Sequence, residues 1–155
     1  MILHAVNSAQ TERLTQVRAL LTAYARERNY DAALGDFTTE LNTLPGRYAP
    51  PAGALLLVTL QQQATGCVAF RRLDTSTCEM KRLYVLPEFR SRGIGRRLIA
   101  ALLEQARTTG YQRMRLDSHP HMHAAIYLYQ TFGFREIEAY NSNPTSGIRF
   151  FERTL

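Results

Sequence analysis

The chain has 155 residues, 45% of them hydrophobic and 21% charged, with a formal net charge of +6. This describes one globular domain over residues 1–155, burying about two-thirds of its unfolded surface, and excludes a disordered chain. No apolar run reaches the roughly 18 residues of a membrane-spanning helix.

Met1-Ile2-Leu3-His4-Ala5-Val6 lacks a basic flank and is too short for a signal peptide, so residues 2–6 read as a first strand. Leu14, Val17, Leu20, Leu21 and Tyr24 recur at helical spacing, which predicts a helix over about 9–28 with Ser8 as its cap. A shorter helix is expected over 37–44, capped near Asp36 and ended by Leu44-Pro45-Gly46. Pro50-Pro51-Ala52-Gly53 keeps the chain non-helical up to a buried strand over 54–60. A turn at 61–65 leads to two strands over 66–73 and 77–85, joined around 74–76. Ile94, Leu98, Ala101, Leu102 and Gln105 share one face of the next helix, which Gly110 ends. A short strand over 113–117 and a helix over about 122–131, stopped by Gly133, follow. Strands over 135–137 and 148–153 close the sheet as an antiparallel pair. The order β-α-α-β-β-β-α-β-α-β-β is an α+β arrangement with a mostly antiparallel sheet.

Cys67 and Cys78 carry no metal-ligand spacing. In the hairpin around 74–76, Cys78 is expected opposite Leu73, about 20 Å from Cys67 at about 3.3 Å per residue. That is beyond disulfide reach. Reduced thiols in a cytoplasmic protein are expected.

The most informative stretch is Arg90-Ser91-Arg92-Gly93-Ile94-Gly95-Arg96-Arg97-Leu98, a glycine-bearing loop between a strand and a helix. The first N–H groups of a helix lack internal partners and sit at the positive end of its dipole. Glycine lets main chain approach an anion, and Arg90, Arg92, Arg96 and Arg97 add charge. Together they point to a pyrophosphate. A Walker loop ends in Gly-Lys-Ser/Thr, whereas Gly95 is followed by two arginines. A dinucleotide fingerprint needs three glycines, and two are present.

The remaining pattern is Arg/Gln-x-x-Gly-x-Gly/Ala, carried by Arg90, Gly93 and Gly95. Leu83-Tyr84-Val85-Leu86-Pro87-Glu88-Phe89 precedes it and Tyr129-Gln130-Thr131-Phe132-Gly133-Phe134 follows downstream. These motifs resemble the coenzyme A loop and flanking elements of the GNAT N-acetyltransferase superfamily. With Leu116-Asp117, Asn143-Pro144, Gly147 and Phe150, they resemble an uncharacterised bacterial subgroup of it. The resemblance covers nearly the whole chain. It implies a mixed, mostly antiparallel sheet with helices on both faces and a splay between the fourth and fifth strands. It also implies direct transfer of acetyl from acetyl-CoA to a primary amine of a small molecule or protein. Pantetheine would pair with the main chain of Leu83, Tyr84 and Val85. The pyrophosphate would lie against Arg90, Ser91, Arg92, Gly93, Ile94, Gly95 and Arg96. No metal, nucleic acid or membrane is expected as a partner, and a homodimer is left open. The alternative is a GNAT-like acyl-CoA-binding protein without turnover. A nucleic-acid binder using the arginine excess finds no recognition motif.

A departing thiolate is helped by a nearby proton donor. The resemblance gives that role to Tyr129; Tyr127 lies about 200° round the same helix and faces away. Glu79 lies on the fourth strand, where some members of the family place a general base. A packed aromatic and a solvated carboxylate are the alternative readings of these two. His119-Pro120-His121-Met122-His123 lies at the end of the fifth strand, where an asparagine common in the family is missing. Without a local carboxylate or cysteine it does not read as a metal site. His119 is available to cofactor or acceptor, or as a polar cap of the following helix. Acceptor specificity is expected from residues 36–51, where Asp36 and Glu40 are available to an ammonium group, and from residues 140–147.

Overall fold

The computed structural model describes residues 1–29 and 34–155. One sheet holds β1 (Ile2–Ala5), β2 (Ala54–Leu60), β3 (Gln63–Arg72), β4 (Thr77–Val85), β5 (Arg113–Ser118), β6 (Arg135–Ile137) and β7 (Arg149–Thr154). The helices among the described residues are α1 (Thr11–Glu27), α2 (Leu34–Asn42), α3 (Ile94–Thr109) and α4 (His123–Thr131). The strand order is β1-β2-β3-β4-β5-β7-β6. Neighbours run antiparallel except β4 and β5, which are parallel.

Alternate side chains of a strand point to opposite faces, and β2 is apolar on both. Leu55 and Leu57 pack with Leu14, Val17, Leu21 and Phe37 under α1 and α2. Leu56 and Val58 pack with Leu98, Ile99, Leu102 and Ile126 under α3 and α4. The sheet is thus covered on both faces, as the GNAT resemblance implies.

Local details depart from the sequence reading. Ser8 does not cap α1; instead Asn7 Oδ1 accepts the Ala9 N–H at 3.0 Å and Gln10 Oε1 accepts the Asn7 N–H at 2.9 Å. Asp36 lies within the first turn of α2 rather than ahead of it. β3 begins at Gln63, because Gln61 and Gln62 take φ of 49° and 68°. Two successive positive φ values make the two-residue hairpin loop, here without glycine. Cys78 pairs with Arg72, one position from the expected Leu73, and Cys67 pairs with Tyr84. Both thiols are free, and burial pushes each up to about 12. On α3 the buried stripe continues through Ile99, Leu103 and Ala106, whereas Gln105 is exposed.

Two irregularities open the sheet. The β4–β5 ladder consists of Thr77↔Arg113, Cys78↔Met114 and Glu79↔Arg115 alone. β4 continues to Val85 and β5 to Ser118, so the strands part beyond Glu79. The register of β4 against β3 also slips between Cys67↔Tyr84 and Ala69↔Lys81. Arg82, at φ 62°, is the left-handed residue of the resulting bulge. A bulge bends its strand and increases the local twist, and this one lies where β4 leaves β5.

Candidate active site

After β4, Pro87–Phe89 forms one 3-10 turn and Arg90 is extended. Ser91 and Gly93 then take φ of 63° and 79° before α3 opens at Ile94. Among the described residues, no protein acceptor meets the main-chain N–H of Ser91, Arg92, Gly93, Ile94, Gly95 or Arg96. The first such bond of the helix runs from Arg97 N to Gly93 O at 3.0 Å. Left-handed residues alternating with others curl successive N–H groups into a concave anion nest, and the helix dipole reinforces it. A Cβ on Gly93 would meet nothing within 4 Å. The left-handed φ favours glycine there, and the space beside it is open.

The arginines divide into two groups. Arg90 Nε donates to Val85 O at 3.0 Å, and its Nη2 donates to the two oxygens of Glu27 at 2.9 and 2.8 Å. The same carboxylate accepts from Tyr84 Oη at 2.9 Å. Burial works against the Glu27 charge, but the hydrogen bonds from Arg90 and Tyr84 outweigh it and hold the carboxyl below its usual range. Arg90 therefore shapes the loop, and its guanidinium is committed to α1 and β4. Arg92 lies over the Phe89 ring at 5.3 Å and Arg96 over Phe132 at 5.6 Å. Arg92, Arg96 and Arg97 are exposed and have no carboxylate partner among the described residues.

Where β4 and β5 part, a cavity of about 90 Å³ is lined by Leu83, Leu116, Ser118, His119, Arg28 and Tyr129, among others. Tyr129 is 7% exposed. Its ring packs on Phe134 and Phe151, and its hydroxyl has no hydrogen-bond partner among the described residues. Burial, with Tyr24 nearby, raises its pKa above the ordinary phenol value, so the hydroxyl keeps its proton at neutral pH. Tyr127 is 68% exposed. His119 lines the same cavity, and burial and Arg28 lower its pKa, so the ring is neutral at pH 7. Its neighbour His121 lies 5.5 Å away, ring to ring. Among the described residues no three His, Cys, Asp or Glu side chains gather as a metal site requires.

Glu79 is fully buried on the opposite face of β4 from Met80. Arg71 Nε donates to its Oε1 at 2.8 Å, and Lys81 Nζ lies 3.9 Å from the same oxygen. Tyr140 Oη donates to its Oε2 at 2.6 Å. Asp117 accepts from Asn141 Nδ2 at 2.9 Å and Asn143 Nδ2 at 3.3 Å. Loop 140–147 is thereby fastened to β4 and β5. A cavity of about 620 Å³ lies between α2, the turn Gly46–Tyr48 and the faces of β3 and β4. Glu40 in its wall is engaged by Arg82 at 2.7 and 3.1 Å and by Tyr48 Oη at 3.0 Å. Asp36 is exposed at the rim.

Leu83 and Tyr129 line the cavity in the splay, whose described lining includes neither Val85 nor residues 90–96. Val85 packs on the core cluster that contains Ile94 and Tyr129, and Tyr84 sends its side chain to the α1 face. Sequence reasoning missed Glu27 and Arg28 at the end of α1, the bulge at Arg82 and the Arg71 partner of Glu79. A signal existed for the last: the hairpin places one of the paired arginines, Arg71 or Arg72, opposite Glu79 whichever way the turn closes.

The Acetyltransferase (GNAT) family pattern matches residues 14–134. An uncharacterised N-acetyltransferase of Schizosaccharomyces pombe is 33% identical over 137 residues, covering 87% of this chain and 84% of its own length. An acetyltransferase structure from Streptococcus agalactiae superposes with a TM-score of 0.82 at 17% identity, over 99% of this chain and 98% of the other. A GNAT family acetyltransferase from Elizabethkingia anophelis with acetyl-CoA bound superposes at 0.58 with 22% identity, over 67% and 77%. The chain belongs to the GNAT family of acetyltransferases and is an acyltransferase with acetyl-CoA as its donor. No helix among the described residues is long and apolar enough to cross a membrane.

Proposed function

We propose that this chain, as one domain, transfers acetyl to a primary amine of a small molecule or protein by direct attack. The reaction takes place where β4 and β5 part. The observation that supports this most is a coincidence of three features. Loop N–H groups without acceptors follow β4, β4 has no ladder partner on its β5 side beyond Glu79, and Tyr129 lines the cavity where the two strands part.

Acetyl-CoA supplies a thioester whose acyl carbon accepts the amine lone pair. Ser91, Arg92, Gly93, Ile94, Gly95 and Arg96 offer main-chain N–H groups to the diphosphate, and the Arg92, Arg96 and Arg97 side chains add charge. β4 beyond Glu79 has no ladder partner on its β5 side. The main chain of Leu83, Tyr84 and Val85 is therefore available to pair with an amide-bearing arm and to polarise the acyl oxygen. A C–N bond forms as the C–S bond breaks. Tyr129 gives its proton to sulfur and regains one from solvent.

Glu79 was expected as a general base. Both its oxygens already have partners, Arg71 on Oε1 and Tyr140 on Oε2, and the side chain is fully buried. We assign it to positioning the acceptor wall, and the amine proton passes to water. The two buried free thiols support a reducing, cytoplasmic setting.

Calorimetry with acetyl-CoA, followed by measurement of free thiol over an amine panel, tests this reading. Binding with amine-dependent thiol release supports it. Binding with no release for any amine marks an acyl-CoA-binding protein without turnover, and no binding removes the assignment of the loop.

A further inference from the structure

The cavity of about 620 Å³ has a one-sided charge. Among its described lining residues are four cations, Arg47, Arg71, Lys81 and Arg82, and two acids, Asp36 and Glu40. Glu40 is already bonded by Arg82 and Tyr48. Glu79, the counter-ion of Arg71, is fully buried behind the wall and presents no oxygen to the cavity. Arg47 has no carboxylate or hydrogen-bond partner among the described residues. Arg71 uses only Nε on Glu79, so its terminal nitrogens keep their N–H donors. Lys81, at 3.9 Å from Glu79, is outside hydrogen-bond distance and keeps its donors too.

The bulge causes this concentration. In a regular strand, successive residues face opposite ways. Here Lys81 and Arg82 both line this cavity, and both also line the smaller one in the splay. The two cavities therefore meet at a pair of cations beside the point where the acyl group is transferred.

We propose that the acceptor carries its own carboxylate: a free amino acid or small amino acid conjugate, with its anionic group on Arg47, Arg71 and Lys81 and its amine toward the splay. This rests on the acetyl-transfer reading above. The volume suits a small molecule. A cationic wall favours the neutral, nucleophilic form of a nearby amine, while the carboxylate supplies the attraction that a bare ammonium would lack. Polyamines, with no anionic group, are disfavoured on the same ground.

The test compares acetyl transfer to a panel of α-amino acids with transfer to the carboxamide and the decarboxylated amine of each, and to spermidine. We expect kcat/KM for the acids to exceed that for their amides by about tenfold or more, the size of one charge-assisted hydrogen bond. Lys81→Met and Arg47→Met should each raise KM for the acids and narrow the gap. The Kd of acetyl-CoA should stay unchanged in both variants. Amides and amines acetylated as fast as the acids, or a preference that survives both variants, overturn the anionic subsite and leave acetyl transfer standing. If acetyl-CoA binds but no amine releases thiol, transfer itself fails. Calorimetry of the acids against the coenzyme A complex then decides the subsite. Heat from acids but not amides, lost in Lys81→Met, supports it, and acids that neither react nor bind overturn it.

Discussion

Tyr140 donates a hydrogen bond of 2.6 Å to Glu79, a residue 61 positions earlier in the chain. Burial, and then the neighbouring carboxylate, raise the tyrosine pKa, so the phenol remains the donor. Tyr140→Phe keeps the ring against Phe150 and Arg115 but leaves Glu79 Oε2 without a partner. Urea denaturation should show a loss of about 1–3 kcal/mol. Because loop 140–147 loses its tie to β4, KM for the acceptor should rise while acetyl-CoA affinity holds.

Glu79→Ala uncovers Arg71. Removing one partner of a buried pair costs about 3–5 kcal/mol; Arg71 is 25% exposed and can turn to water, so the lower end is expected. Glu79→Gln separates positioning from base catalysis. With positioning, the folded variant keeps most of its kcat; loss of a general base would lower kcat about 10²–10⁴-fold. Steady-state kinetics on the two variants reads the difference.

Tyr129→Phe deletes one hydroxyl and keeps the packing on Phe134 and Phe151. We expect kcat to fall about tenfold or more with the Kd of acetyl-CoA nearly intact. A normal rate assigns Tyr129 to packing alone.

The Glu27 clamp on Arg90 should depend on pH. The folded-state carboxyl lies below its ordinary value of 4.5. Its contribution is therefore complete above pH 4.5 and is lost as pH falls through the lower folded value. At neutral pH, Glu27→Gln mimics that loss. Both partners are more than one-third exposed, so global stability should change little. The Kd of acetyl-CoA should rise several-fold, as calorimetry would read.

Gly93→Ala tests the loop by its backbone. The side chain meets no atom within 4 Å, but φ is 79°. A left-handed alanine costs about 1–2 kcal/mol, relieved by a change in the loop that disperses its N–H groups. Gly93→Glu adds a negative charge where the diphosphate binds and should abolish binding, as titration with acetyl-CoA would show.

The shape of the glycine loop was legible because it is local: the positive φ at Gly93 and the start of α3 lie within a few residues. The alternation of α1, β2 and α3 was legible because burial on two faces leaves a periodic apolar trace. The bulge was not, because the left-handed position is held by Arg82, whose identity carries no turn signal. The tight loop at Gln61 and Gln62 escaped for the same reason. The Glu27 clamp lies 63 residues from Arg90, and nothing local to either residue marks it. Glu79 was singled out correctly as a carboxylate on β4, but its burial and its partners came from β3 and from the loop after β6.

Only three residue pairs sew β4 to β5. The donor's amide arm, lying in the gap, would act as an eighth strand, and the sheet would be complete only while the donor is present. Amide hydrogens of Leu83, Val85 and Leu116 should exchange with solvent more slowly in that state, and release of spent coenzyme A would unzip the sheet again at each turnover.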